Sequence, residues 1–96
     1  MNQFLNNHKE KEQVSYDELL VENKKYDLVL FNDDVNTFDW VIECLMKICN
    51  HDEIQAEQSA FIVHYKGKCT VKSGEWEVLE PMHKALSNCD LSVEII

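Results

Sequence analysis

Two adjacent carboxylates, Asp33 and Asp34, stand in the run FNDDVNT, Phe31 to Thr37, with two amides, Asn32 and Asn36, and a hydroxyl, Thr37. A strand-to-helix turn needs one or two such residues, whose side chains bond their own backbone. The surplus here is in acceptor oxygens. Carboxylate and amide oxygens, together with one nitrogen of a neutral imidazole, could surround an ammonium group at charge-assisted distances. His64, in FIVHYKGK, is the side chain that would complete such a ring if the fold brings it near. The plain alternatives are a turn that serves only its own backbone and a histidine that serves only packing.

Other chemistries are less well supplied. Asp33, Asp34 and His64 offer oxygen and nitrogen ligands, so a metal-dependent hydrolase stays open as an alternative. Adjacent carboxylates rarely aim at one ion, however, and no paired-ligand spacing accompanies them. Ser59 and Ser73 have no Gly-x-Ser-x-Gly context, and no cysteine has a base at a telling position. Cys44, Cys49, Cys69 and Cys89 form no Cys-x-x-Cys pair and read as reduced, buried thiols of a cytoplasmic protein. No catalytic residue, metal or cofactor is expected.

The elements that must position these groups follow from periodicity. Tyr26 to Phe31, YDLVLF, reads as a strand at least partly covered on both faces. Phe38, Val41, Ile42, Leu45, Ile48 and Cys49 then fall at helical spacing, and either Asn36 or Thr37 can cap that helix, with Asp39 in its first turn. A second helix starts near Asp52, with Ile54, Ala56, Ala60, Phe61 and Val63 as its apolar positions and Gly67 as its stop. KCTVK alternates as a half-buried strand. Trp76, Leu79, Met82 and Leu86 repeat at helical spacing, which Pro81 permits only if the helix starts close to it or kinks. LSVEII alternates Leu91, Val93 and Ile95 inward as a last strand. The order β-α-α-β-α-β predicts an α+β domain, a three-stranded antiparallel sheet with helices on one face. By pattern Phe38, Val41, Ala60 and Val63 are core, although a small residue such as Ala60 among bulky ones could leave room for a guest side chain.

Length and charge set the outer limits. Ninety-six residues make one domain, and the net charge is −9. That charge argues against nucleic acid and anionic membranes and favours cationic or amine-bearing partners. Residues 1–25 carry four lysines and five carboxylates, so nearly all the acidity lies in residues 26–96. The first 25 residues read as a flexible extension, with Val14, Leu19, Leu20 and Val21 able to form a short docking turn. They hold no apolar signal region, and no run in the chain approaches membrane-helix length. A small acidic interaction domain that grips a basic partner is the remaining alternative.

LVLFNDDVNTFDWVIECL followed by VHYKGK resembles the ClpS family, adaptors that deliver N-degron proteins to a Clp protease. The likeness is good over residues 26–72 and looser beyond. It implies a small α/β recognition domain over 26–96 that catalyses nothing and acts in the cytoplasm as a monomer. Such a domain binds a substrate's free N-terminal Phe, Leu, Trp or Tyr and hands the substrate to a ClpA- or ClpC-type AAA+ ATPase. Carried over by position, Asn32, Asp34 and His64, with Asp33 alongside, would hold the α-amino group. Asn36, Thr37 and Phe38 would form the pocket rim, and Val41, Ala60, Val63 and Leu91 its wall. Asn36-Thr37-Phe38 replaces the family's common Thr-Pro-Met, and Ala60 stands where Met is frequent. A stiffer rim and a deeper interior offset each other, so the ranking of first residues is open. The third helix is shorter than in better-known members, and Glu77 is the one ATPase-contacting position it suggests.

Overall fold

A computed structural model describes residues 24–96. Except for its last two residues, the expected extension, with its docking turn over 14–21, lies outside the described part. The elements run β1 (Tyr26–Phe31), α1 (Phe38–Cys49), α2 (Glu53–Lys66), β2 (Lys68–Gly74), α3 (Trp76–Asn88) and β3 (Ser92–Ile95). The sheet order is β2-β1-β3, and both pairings are antiparallel. This is the expected α+β arrangement. Leu28 and Leu30 of β1, Val71 of β2 and Val93 of β3 meet Leu45, Ala56, Leu79 and Leu86 of the helices in one buried cluster. No helix among the described residues is long and apolar enough to cross a membrane.

Helix ends account for much of the path. Thr37, not Asn36, caps α1: its hydroxyl accepts from the Trp40 amide at 3.1 Å. Asp39 therefore sits second in the helix rather than closing a capping box, where its charge still favours the positive end. Asn50 ends α1 in the left-handed region at φ 60°, which asparagine tolerates better than most residues. Buried His51 follows and places Nε2 2.7 Å from the Val71 carbonyl, tying the α1–α2 corner to β2. A carbonyl only accepts, so Nε2 carries the proton. Asp52 caps α2 through the Gln55 amide at 2.7 Å, and Gly67 ends it at φ 94°.

Two expectations about the helices are corrected. Ile54 and Phe61 are 68% and 51% exposed, so neither belongs to the buried face of α2. That face is Ala56, Ser59, Ala60 and Val63, a stripe at helical spacing whose residues are mostly small. In α3 the helix does not begin close to Pro81: it starts five residues earlier and runs through it. Proline brings no N–H, so the Glu77 carbonyl lacks its helical donor; the cost is borne on an exposed surface while Leu79 and Leu86 hold the buried face.

Candidate functional site

The site forms because the chain keeps contact with its neighbour for one residue past the end of β1. Phe31 pairs with Lys68 in the sheet, and the Asn32 amide then donates to the Gly67 carbonyl at 2.9 Å. Gly67 is also the stop of α2, where its own amide reaches the Val63 carbonyl at 2.9 Å. One glycine thus fixes the start of the acidic turn beside the last turn of α2, which carries His64.

Asp33 folds the turn. Its Oδ1 accepts from the Val35 and Asn36 amides, each at 2.8 Å, and its Oδ2 accepts from the Asn36 side-chain amide at 2.9 Å. Burial alone would raise this carboxyl, but the hydrogen bonds from Asn36 and Val35 outweigh it and hold the group below its ordinary 3.8. Asp34, the next residue, is exposed and takes no such bond among the described residues. The two carboxylates that look equivalent in the sequence are therefore in different states of engagement.

Asn36 has a second partner. Its side-chain amide also donates to the Asp90 carbonyl at 2.8 Å, and one turn along the indole N–H of Trp40 donates to the Cys89 carbonyl at 3.0 Å. These bonds fasten the turn and the first turn of α1 to the corner between α3 and β3.

Above this framework lies a cavity of about 360 Å³. Asn32, Asp33, Asp34 and His64 line it, as do Asn36, Thr37 and Phe38, and so do Val41, Ala60 and Val63. The structure thus brings together all but one of the residues expected to hold the amine or to form the pocket. The exception is Leu91. Asp90 turns the chain at φ 68°, the Leu91 amide bonds back to the Leu86 carbonyl at 3.1 Å, and the side chain packs in the core instead of lining the cavity. Leu30 and Phe31 also line the cavity and were not foreseen. Their place at the end of the strand that feeds the turn was the available signal.

The cavity has two characters. Its aliphatic lining, Leu30, Val41, Ala60 and Val63, is buried or half-buried, whereas Asn32, Asp34 and His64 of the same lining are exposed, which puts the polar groups on the solvent side. Phe38, placed in the core by periodicity, is 37% exposed at the rim. Its ring meets Phe61 edge-on, with centroids 5.0 Å apart, and His64 edge-on at 6.1 Å. Such an arrangement can take an apolar side chain inward and a cationic group at the lip. Although Asp33, Asp34 and His64 face one cavity, no group of three or more His, Cys, Asp or Glu among the described residues is placed to hold a metal.

Comparison with known proteins agrees with the likeness. The family described as ATP-dependent Clp protease adaptor protein ClpS matches residues 21–92. A Campylobacter jejuni Clp protease adapter protein ClpS is 44% identical over 48 residues, 50% of either chain, so here the match spans about half the length of the curated relative. The Thermosynechococcus vestitus ClpS adapter is 38% identical over 69 residues, covering 71% of this chain and 73% of that one. Among solved structures, Agrobacterium tumefaciens ClpS2 bound to L-phenylalaninamide superposes with a TM-score of 0.72 at 20% identity, over 77% of this chain and 96% of that one.

Proposed function

This chain belongs to the ClpS family of Clp protease adaptors, and from that premise we propose that it binds the free N-terminal residue of a substrate chain, large and apolar or aromatic, and delivers that chain to a Clp ATPase–peptidase. The family is one of adaptors rather than enzymes. The observation that carries the reading is that one cavity is lined by buried or half-buried aliphatic side chains and by exposed polar residues with acceptor atoms. An α-ammonium is a small, strongly hydrated cation, so several acceptors must replace its water. Asp34 supplies the charge, and Asn32 and a ring nitrogen of His64 supply further acceptors. Asp33 acts by shaping the turn that presents them. An internal residue has an amide instead of an ammonium and leaves these acceptors unmatched, which rejects it.

The relative bound to L-phenylalaninamide supports this reading. That ligand has a free α-amino group, a phenyl side chain and a carboxamide standing for the next peptide bond. Leu30, Val41, Ala60 and Val63 would receive the side chain here, with Asn36, Thr37 and Phe38 at the rim. Burying such a group is worth about 1.5–3 kcal/mol, enough to select by size while leaving release possible. Delivery would use a ClpA- or ClpC-type ATPase in the cytoplasm, with residues 26–96 as the recognition domain and residues 1–25 as the extension that engages the ATPase.

Isothermal titration of a short peptide beginning with Phe tests the reading. We expect binding, and loss of binding when the peptide amine is acetylated. Asp34→Asn and His64→Ala should each weaken affinity by roughly ten- to a hundredfold, the range for a hydrogen bond to a charged group, with unchanged circular dichroism. Equal affinity for the acetylated peptide would overturn it.

A further inference from the structure

The cavity does not end the apolar surface around it. Phe61, His64 and Tyr65 are spaced three and four residues apart on α2 and so share one face. Phe61 and Tyr65 stack with centroids 5.8 Å apart and planes 7° off parallel. Tyr65 also meets the His64 ring edge-on at 4.8 Å. Phe61 continues to Phe38, 5.0 Å away, and Phe38 and His64 both line the cavity. The rings therefore form one sheet of aromatic surface running outward from the lip.

Among the described residues that surface is not needed for the core: Phe61 is 51% and Tyr65 74% exposed, and neither belongs to the buried cluster. Exposed apolar surface that is contiguous and adjoins a cavity marks a contact with something else.

We propose that Phe61 and Tyr65 form a second subsite, which takes the side chain of the residue following the substrate's N-terminal residue and prefers it aromatic or large and aliphatic. This rests on the cavity being the seat of the first residue. With the amine beside His64, the next residue is about 3.3 Å further along an extended chain, and the Tyr65 ring centre lies 4.8 Å from that of His64 and the Phe61 ring centre 5.0 Å from that of Phe38. Among the described residues Val35, 84% exposed in the turn between Asp34 and Asn36, is another apolar group beside the lip. It is a single small side chain, whereas Phe61 and Tyr65 present a stacked pair, and an edge-to-face or stacked partner adds to simple burial. Specificity would then be read over two residues: size and amine at the first, aromatic character at the second.

The test uses the full chain and short peptides beginning Phe-Phe, Phe-Leu, Phe-Lys and Phe-Gly, with dissociation constants from fluorescence anisotropy. Phe-Phe and Phe-Leu should bind roughly three- to tenfold more tightly than Phe-Gly. Phe61→Ser and Tyr65→Ser should each bring that ratio towards one. Both rings are exposed, and Tyr65→Ser alone carries the test if Phe61→Ser disturbs Phe38. Amine-dependent binding that ignores the second residue overturns the subsite and leaves the first-residue reading standing. So does a ranking set by charge alone, with Phe-Lys best and Phe-Phe equal to Phe-Gly, or an equal loss for all four peptides in both variants. Binding that survives acetylation of the amine removes both readings together.

Discussion

Asn36 and Asp90 lie 54 positions apart, yet the Asn36 side-chain amide donates to the Asp90 carbonyl at 2.8 Å while also donating to Asp33 at 2.9 Å. One side chain therefore closes the acidic turn and ties it to the corner that leads into β3. Asn36→Ala removes both donors and leaves two acceptors unmatched. It should destabilise the domain by about 1–3 kcal/mol in urea titration. Thr37→Ala should cost about 1 kcal/mol through the lost cap alone. A cost for Asn36→Ala no larger than an ordinary surface substitution would show that the tie does not hold the turn.

Asp33 makes a pH-dependent contribution whose sign follows from its environment. Its carboxyl is held below 3.8 in the folded chain, so ionisation favours folding. The contribution is full above about pH 3.8 and is lost as pH falls through the lower folded-state value. Asp33→Ala should cost about 1–3 kcal/mol near neutrality, and the gap between the two proteins should narrow in acid. Urea midpoints measured down a pH series give the gap directly. A constant gap would mean that the three hydrogen bonds do not depend on the charge.

Those two residues mark what the sequence could and could not disclose. Asp52 and Gly67 were legible as helix ends because each acts on its immediate neighbours. Asn36 and Thr37 were both plausible caps, since either side chain can reach the first turn. The choice fell to Asp90, 54 positions away, which claims the Asn36 amide. Periodicity also drew attention to the large residues of α2, Ile54 and Phe61, whereas the buried stripe is Ala56, Ser59, Ala60 and Val63. Small residues let helices approach closely but give a weak hydrophobic signal. The acceptors of the turn could be named from their chemistry. That His64 joins them depends on the register of β1 with β2 and on the Asn32–Gly67 bond, neither of which leaves a local mark.

The buried cysteines predict sensitivity to alkali. Burial, reinforced by the neighbouring Cys89 thiol, pushes Cys44 from 9.0 up to about 12. Burial pushes Cys49 up to about 11. A raised folded-state value means that the contribution is full below pH 9.0 and declines as pH climbs towards 11 and 12. Between about pH 9 and 10 each thiol should cost up to about 1.4 kcal/mol. Cys44→Ala/Cys49→Ala should be less stable than the parent near pH 8, because it leaves space in the core, yet should lose less on going to pH 10. Parallel loss in the two proteins would place the alkaline transition on other groups.

Pro81 offers a stabilising substitution. It is the sixth residue of α3, past the first turn where proline is tolerated, and it is exposed. Pro81→Ala returns the N–H that the Glu77 carbonyl lacks and removes the ring from its neighbourhood. In a helix interior that exchange is worth up to about 3 kcal/mol. Proline also restricts the unfolded chain, which offsets the gain by about 0.4–1 kcal/mol. The net expectation is a rise of about 1–2 kcal/mol, read as a higher urea midpoint with unchanged slope. No cavity residue lies on α3, so affinity for a Phe-initiated peptide should stay within error of the parent. A fall in stability would mean that α3 is bent at Pro81 and that its packing through Leu79 and Leu86 depends on the bend.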